Sequence, residues 1–575
     1  MAATLCSILA LTSLLLVACT PAPPTPASTD RSSQAAPVAE PPAPPAPTVT
    51  IPPREQTLRL PLTEPPTIDP GLAEDGASVE IVSQLFEPLV GFDGKGDVGG
   101  LGADNWEVSP DGLTYTFSLR QGPTWSDGRP VVAQDYAWAW KRNVNPATAS
   151  PEAGLLFPIK NAQAISEGKL EPEQLGVQAR DDRTLIVSLE EPAAYFLRLA
   201  SSWPLAPLRR DVIEKFGDGW TDPRNIVTNG PFRLKAWQHD SQIDLERNET
   251  YWGPQPTLRR ALYRIFPQGG GDQVLAAYAA GELEATSSAG SFELPPNQID
   301  RLLADPNLKD EARLFDQSAT LFIVVNTRRP QLADPRVRLA LGQALDRPKI
   351  ADQELKGAAR PAYTLQPEGI AGRRPEAWVK DDAAAAQKLL AEAGYPEGRG
   401  FPEITLTYNM AGQWTQLATA LQRRWKDILG INLRLESMEW SAFLAWRRGE
   451  EWVQRGDLFR GGWFSDYEDP HDWYNVLWDS RSDPRAFNSG WKDDRYDTLV
   501  RQAAGEPDRA RRVALYGQAE ELLAAEYPAI PLVHYGIRAL VKPYVQGFEP
   551  DRVLGLTPLK KISLVGAQGL APVPR

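Results

Sequence analysis

The chain has 575 residues, of which 42% are hydrophobic and 23% charged, the make-up of an ordinary globular protein with room for roughly two to four domains. Its formal net charge of -13 gives no basic face for phosphates, so nucleic-acid binding is set aside. The two cysteines, Cys6 and Cys19, both precede the body, and the three histidines (His239, His471, His534) lack metal-ligand spacing, so disulfides, metal and cofactor are not expected.

Leu5 to Ala18 (LCSILALTSLLLVA) is shorter than the about 20 apolar residues that span a bilayer, and it reads as the apolar part of a secretory signal. The run ends in Leu16-Val17-Ala18-Cys19, which resembles a bacterial lipobox: residues 1–19 would be the signal, and the Cys19 thiol would receive diacylglycerol. The competing reading is a plain secretory signal with an incidental cysteine. Residues 20–56 follow as a tether dominated by Pro, Ala, Ser and Thr, which cannot bury enough surface to fold. At about 3.1 Å per residue it could reach on the order of 100 Å.

The body begins near Thr57. In chain order the pattern predicts a strand over Leu113–Leu119, a helix starting at Asp135, a strand over Thr184–Leu189 and a helix over Asp381–Ala393. A strand over Ile404–Tyr408, a helix over Trp414–Leu429 and a strand over Ile431–Leu435 follow. The alternation argues α/β, and the last three elements suggest a crossover unit on a largely parallel sheet. No GxxxxGK[ST], HExxH or GxSxG is present, and Gly269-Gly270-Gly271 reads as a loop.

Six segments carry a resemblance, in this order. They are Thr67-Ile68-Asp69-Pro70 with Gln84–Leu89 (QLFEPL), Tyr115–Asp135 with its W-S-D-G-x-P-V-x-A-x-D pattern, and Asn145–Pro151 (NPATASP). Thr228–Trp252 (TNGPF…NETYW), Asp334–Arg347 (DPRVRLALGQALDR) and Gly461–Pro470 (GGWFSDYEDP) complete the set. Together they resemble the family 5 extracytoplasmic solute-binding proteins of ABC importers, nearest to the oligopeptide-binding type. The resemblance implies a two-lobed α/β fold (periplasmic-binding-protein type II, large cluster C) with an additional domain inserted in the first lobe. Lobe I would comprise 57–86, 221–320 and 534–575, the inserted domain 87–220, and lobe II 321–533. It implies a lipid-anchored monomer outside the cytoplasmic membrane that captures short peptides, closes on them, and delivers them to permease subunits with a separate ATPase; it implies no enzyme.

By the same resemblance Asp466 holds the peptide α-ammonium, Trp463 walls the pocket beside it, and the backbone of Gly462 and Phe464 pairs with the peptide main chain. Arg460 would reach the peptide carboxylate, which a guanidinium can bond twice in one plane, and Glu74 would contact the peptide near its amino end. Asp466 could instead be a helix cap or a solvated loop residue, Trp463 core, and Arg460 a surface cation. Lys356 lies near a position where a carboxylate-binding lysine can occur. The chain departs from the pattern at Val324, where an acidic pocket residue can stand, and at Glu152, which replaces an aromatic residue. Other readings are a family member for nickel, haem or an oligosaccharide, a peptide-sensing receptor, and a hydrolase using Glu468 and Asp469. Adjacent residues of an extended loop point apart, which disfavours that last pair.

Overall fold

The computed structural model describes residues 56–565, apart from 93–97, 289–291, 293, 295, 307, 371–375, 411, 482–486 and 488. The signal, Cys19 and all of the tether before Gln56 lie outside the described residues.

β1 (Thr57–Leu62) starts the first sheet, and α1 (Gly76–Leu85) follows, its first turn capped by Asp75, which accepts from the N–H groups of Ala77 and Ser78. The chain then builds the inserted domain, an antiparallel sheet of β2 (Ala103–Val108), β3 (Thr114–Leu119), β4 (Val177–Asp181) and β5 (Thr184–Ser188) in the order β2-β3-β5-β4. α2 (Ala133–Val144) packs on it. β6 (Phe232–Gln238), β7 (Gln242–Arg247) and β8 (Arg260–Ile265) return to the first sheet, ordered β1-β8-β7-β6, in which only β1 and β8 run parallel.

β9 (Ala312–Val325) leads to the second sheet, completed by β10 (Ala359–Pro361), β11 (Ile404–Asn409), β12 (Leu433–Met438), β13 (Leu458–Phe464) and β14 (Ala529–Leu540), in the order β10-β14-β9-β13-β11-β12. The predicted crossover is present: α4, the helix Gly412–Leu429, links the parallel strands β11 and β12, and α3 (Ala383–Glu392) precedes them. The expectation of a largely parallel sheet is corrected. Only β11–β12 and β11–β13 are parallel, and β9 pairs antiparallel with both β13 and β14, because the chain leaves one lobe along β9 and comes back along β14. The strand predicted from Ile431 starts at Leu433, since Gly430 turns the chain in a left-handed conformation and Ile431 is spent on the core.

β9 shows why the run Leu321–Val325 is apolar without a break. Leu321, Ile323 and Val325 pack into one core and Phe322 and Val324 into another, on opposite faces of the sheet. A separate core joins the first sheet and the inserted domain, and it takes in Val541, Phe548, Ile562 and Leu564, so the first lobe recovers the C-terminal segment. β9 and β14 run between these bodies. Their pairing slips between Asp316 and Thr320, where a bulge interrupts the ladder.

Candidate ligand-binding site

β13 pairs with β9 along Leu458–Phe464 but meets β11 only at Leu458 and Phe459. From Arg460 onward its second edge has no strand partner among the described residues. The N–H of Ser465 donates to Ser318 O (2.8 Å) on the β9 side. Because antiparallel ladders alternate, the N–H and C=O groups of Gly462 and Phe464 are then directed to the free edge. Arg460, Gly462 and Phe464 share one face of the strand, with Arg460 reaching toward Gly462, while Trp463 turns to the other face and meets Phe487 edge-on.

The loop after β13 leads into α6 (Pro470–Trp478), capped by Asp469. Asp466 lies in this loop. Water in the cleft reaches its carboxyl, yet protein crowds it, and the lost hydration pushes it up to about 6. Facing it from the inserted domain is Glu152, held above the usual carboxylate range by burial and then by the charges of Asp466 and Glu74. Three carboxylates from three parts of the chain thus converge: Glu74 before the α1 cap, Glu152, and Asp466. Asp466 and Glu152 line a cavity of about 810 Å³ between the inserted domain and the second lobe.

Sequence reasoning missed the residue that orders this loop. Asp472, in the first turn of α6, is fully buried. One carboxylate oxygen accepts from the Trp463 indole N–H (2.9 Å) and from the Asp466 backbone N–H (3.1 Å). Burial, and after it the charge of Asp466, push this carboxyl well above its ordinary range. Asp472→Ala strips the acceptor from two donors, at a cost of about 1–3 kcal/mol for each group left unpaired. Calorimetry is expected to show weaker ligand binding and a lower melting temperature, with Asp472→Asn, which keeps an oxygen acceptor, restoring most of both.

At the other end of the free edge the Arg460 guanidinium lies over the rings of Trp440 (4.7 Å), Phe443 (5.3 Å) and Trp414 (5.5 Å). Burial, and then the charge of Arg447, lower its pKa to about 10. Arg447, on α5 (Trp440–Arg448), was also missed; burial lowers its pKa too, and it stacks over Phe487 at 5.5 Å. Neither guanidinium has a carboxylate partner among the described residues, and each has a buried Nε without a hydrogen bond. Trp440 and Phe464 are left exposed, at 45% and 47%.

The profile of the bacterial extracellular solute-binding proteins, family 5, matches residues 98–484. The chain belongs to this family. It is 36% identical over 499 residues to the probable deoxycholate-binding periplasmic protein YgiS of Escherichia coli K12, covering 84% of this chain and 89% of that one. It is 34% identical over 508 residues to the periplasmic oligopeptide-binding protein OppA of the same strain, covering 87% and 91%. Among solved structures, the unliganded open form of the murein tripeptide-binding protein MppA superposes with a TM-score of 0.81 at 30% identity, covering 91% of this chain and all of that one. A second structure, of Escherichia coli MppA, reaches only 0.66 over 90% and 100%. The two-lobed fold with an inserted domain is therefore that of the family.

Of the other positions singled out above, Val324 and Lys356 fall outside the cleft. Val324 is wholly buried in the core. Lys356 forms a surface ion pair with Asp300 (3.0 Å). His471, in the first turn of α6, lines the cavity beside Asp466; its Nδ1 meets the Tyr467 hydroxyl at 2.6 Å, its ring stacks on Tyr195, and burial lowers its pKa to about 3, so it stays neutral. Glu468 accepts from the Ser318 hydroxyl and Asp469 pairs with Arg512, so the two acids are used on different sides. No group of three or more metal-ligating side chains exists among the described residues, and none of their helices is long and apolar enough to cross a membrane.

Proposed function

We propose that this family 5 protein is the extracytoplasmic solute-binding component of an ABC importer, and that its ligands are short peptides held extended between the lobes. The observation that supports this most is a polarised strand edge. Unpaired carboxylates stand at one end of β13, unpaired guanidiniums at the other, and free backbone groups between. That arrangement complements a peptide, which has an ammonium, a carboxylate and a ladder of amides. Asp466 takes the ammonium, with Glu74 beside it on the first lobe; Gly462 and Phe464 pair with the main chain; Trp463 and Phe464 contribute apolar walls; and Arg460 with Arg447 takes the carboxylate.

Strands rise about 3.3 Å per residue, so Arg460 and Asp466 lie about 20 Å apart along the chain, a span suited to ligands of a few residues once both side chains reach inward. The lobe boundaries proposed at 320/321 and 533/534 fall within β9 and β14, the strands that would flex on closure. Lipid attachment at Cys19, a monomeric body, a separate permease with its ATPase, and the absence of catalysis belong to the same reading. Deoxycholate, named for the Escherichia coli relative, is an anion without an ammonium, and the acids around Asp466 disfavour it there.

Titration calorimetry across pH tests the reading. Ammonium binding requires ionised Asp466, whose pKa is raised to about 6. Affinity for a free-amino tripeptide, whose own ammonium titrates near pH 8, is expected to peak near pH 7 and to fall below pH 6 by up to about tenfold per unit. Affinity that rises as the pH falls below 6, or deoxycholate binding in place of any peptide, would overturn it.

A further inference from the structure

The amino end of the cleft holds more negative charge than one ammonium can neutralise. Asp466, Glu152 and Glu74 come from the second lobe, the inserted domain and the first lobe, and none has an ion-pair partner among the described residues. The two arginines that line the far part of the same cavity are already engaged. Arg501 pairs with Asp479 (2.7 Å) and Asp497 (3.2 Å), and Arg481 lies 3.9 Å from Asp479. A second observation points the same way. Asp472, wholly buried and bonded to the Asp466 backbone, keeps its other carboxylate oxygen without any hydrogen bond. Carboxyl oxygens without a protein partner therefore stand both around and beneath the amino subsite.

We propose that this end of the cleft selects peptides whose first residue is lysine or arginine: the α-ammonium pairs with Asp466, and the side-chain cation enters the cavity beside Glu152. The cavity of about 810 Å³ has ample room for either side chain, and Glu190 and Glu191 add negative charge to its wall. Polyamines would satisfy the acids, but they carry no anion for Arg460 and Arg447, so the pole of guanidiniums favours a peptide. Glu152 is thus a specificity residue. Its side chain makes no capping bond to the short helix it precedes, Ala153–Leu156, and is free for a ligand.

This inference rests on the peptide reading above, and the test separates the two. Lys-Ala-Ala, Nle-Ala-Ala (norleucine, similar in length and uncharged) and Glu-Ala-Ala are titrated into the full-length protein at pH 7.5, then into Glu152→Gln. The lysine peptide is expected to bind the unaltered protein about five- to tenfold more tightly than the norleucine peptide, with the glutamate peptide weakest. In Glu152→Gln the lysine-to-norleucine ratio is expected to shrink below about twofold. Equal binding of the lysine and norleucine peptides to the unaltered protein overturns the selectivity and leaves the peptide reading standing. A lysine preference that survives Glu152→Gln removes Glu152 from the role. Failure of all three peptides to bind removes both readings. The comparison in the unaltered protein needs no variant to fold, and a melting curve checks that Glu152→Gln does.

Discussion

Asp466→Ala is expected to weaken binding of a short free-amino peptide at pH 7 by roughly 2–5 kcal/mol, about thirty-fold to a few thousand-fold. The loss has two parts. The ammonium forfeits its counter-charge in a site where closure expels water, and it must still leave bulk solvent. The same carboxylate is a burden on the empty protein. Crowding by protein, with the hydration it removes, raises its pKa to about 6, against about 4 in an unfolded chain, so the folded state binds this proton more tightly. Ionised Asp466 therefore weakens the ligand-free fold above pH 6, and the penalty fades as the pH falls from about 6 toward 4. Asp466→Asn is accordingly expected to melt higher than the unaltered protein at pH 7.5, with the difference vanishing near pH 4, while losing most peptide affinity. A variant that melts lower at pH 7.5 and still binds peptide would contradict this assignment.

Arg512→Ala is expected to destabilise the protein by about 3–5 kcal/mol, measured by chemical denaturation without ligand. Arg512, on α7 (Arg509–Glu526), makes a bidentate pair with Asp469, and the two side chains are only 14% and 3% exposed. Removing the guanidinium leaves a buried carboxylate unpaired. Asp469 also accepts from the N–H of His471 (2.9 Å) at the start of α6, so its position fixes the helix that carries Asp472. The stack of Tyr195 on His471 and the bond from Ala194 N–H to Ala504 O (2.8 Å) bring the inserted domain onto the same ground. Peptide affinity is thus expected to fall with stability. If the double variant Arg512→Met with Asp469→Asn recovers a substantial part of the loss, the unpaired charge is its cause; equal instability in single and double variants would assign it to packing.

Most of the segments that reveal the family turn out to be architectural. In the W-S-D-G-x-P stretch, buried Trp125 donates its indole N–H to Asp135 (2.9 Å), which also holds the Val132 N–H (3.0 Å) at the start of α2. Gly128 adopts φ +87°, which a side chain would strain, and Asp127 pairs with Arg209. Asp69 of the first segment clamps Arg142, and Arg347 of the fifth is buried against Pro531 O. Gly230 lies so close to the backbone of Leu85 that a Cβ would sit 2.6 Å from it. These residues are legible because caps, buried ion pairs and tight turns each admit few residue types.

The binding loop is legible only in part. Asp466 and Trp463 stand in a motif of fixed spacing, whereas Arg447 and Asp472 lie on helices whose approach to β13 depends on tertiary packing. Nothing in local sequence distinguishes a buried aspartate in the first turn of α6 from an ordinary acidic residue placed there to suit the helix dipole. The sense of the second sheet was misjudged for a similar reason. A strand–helix–strand pattern fixes β11 and β12 as parallel, but β9 and β14 are distant in sequence and pair through the path between lobes.

The most direct measurement compares a free tripeptide with its N-acetylated form by calorimetry on the unaltered protein at pH 7.5. Acetylation removes the positive charge and leaves the carboxylate and main chain in place. Binding of the free peptide with a loss of about a hundredfold or more on acetylation is expected if the Asp466 carboxylate grips the amino end. Equal affinity for the two peptides would contradict it.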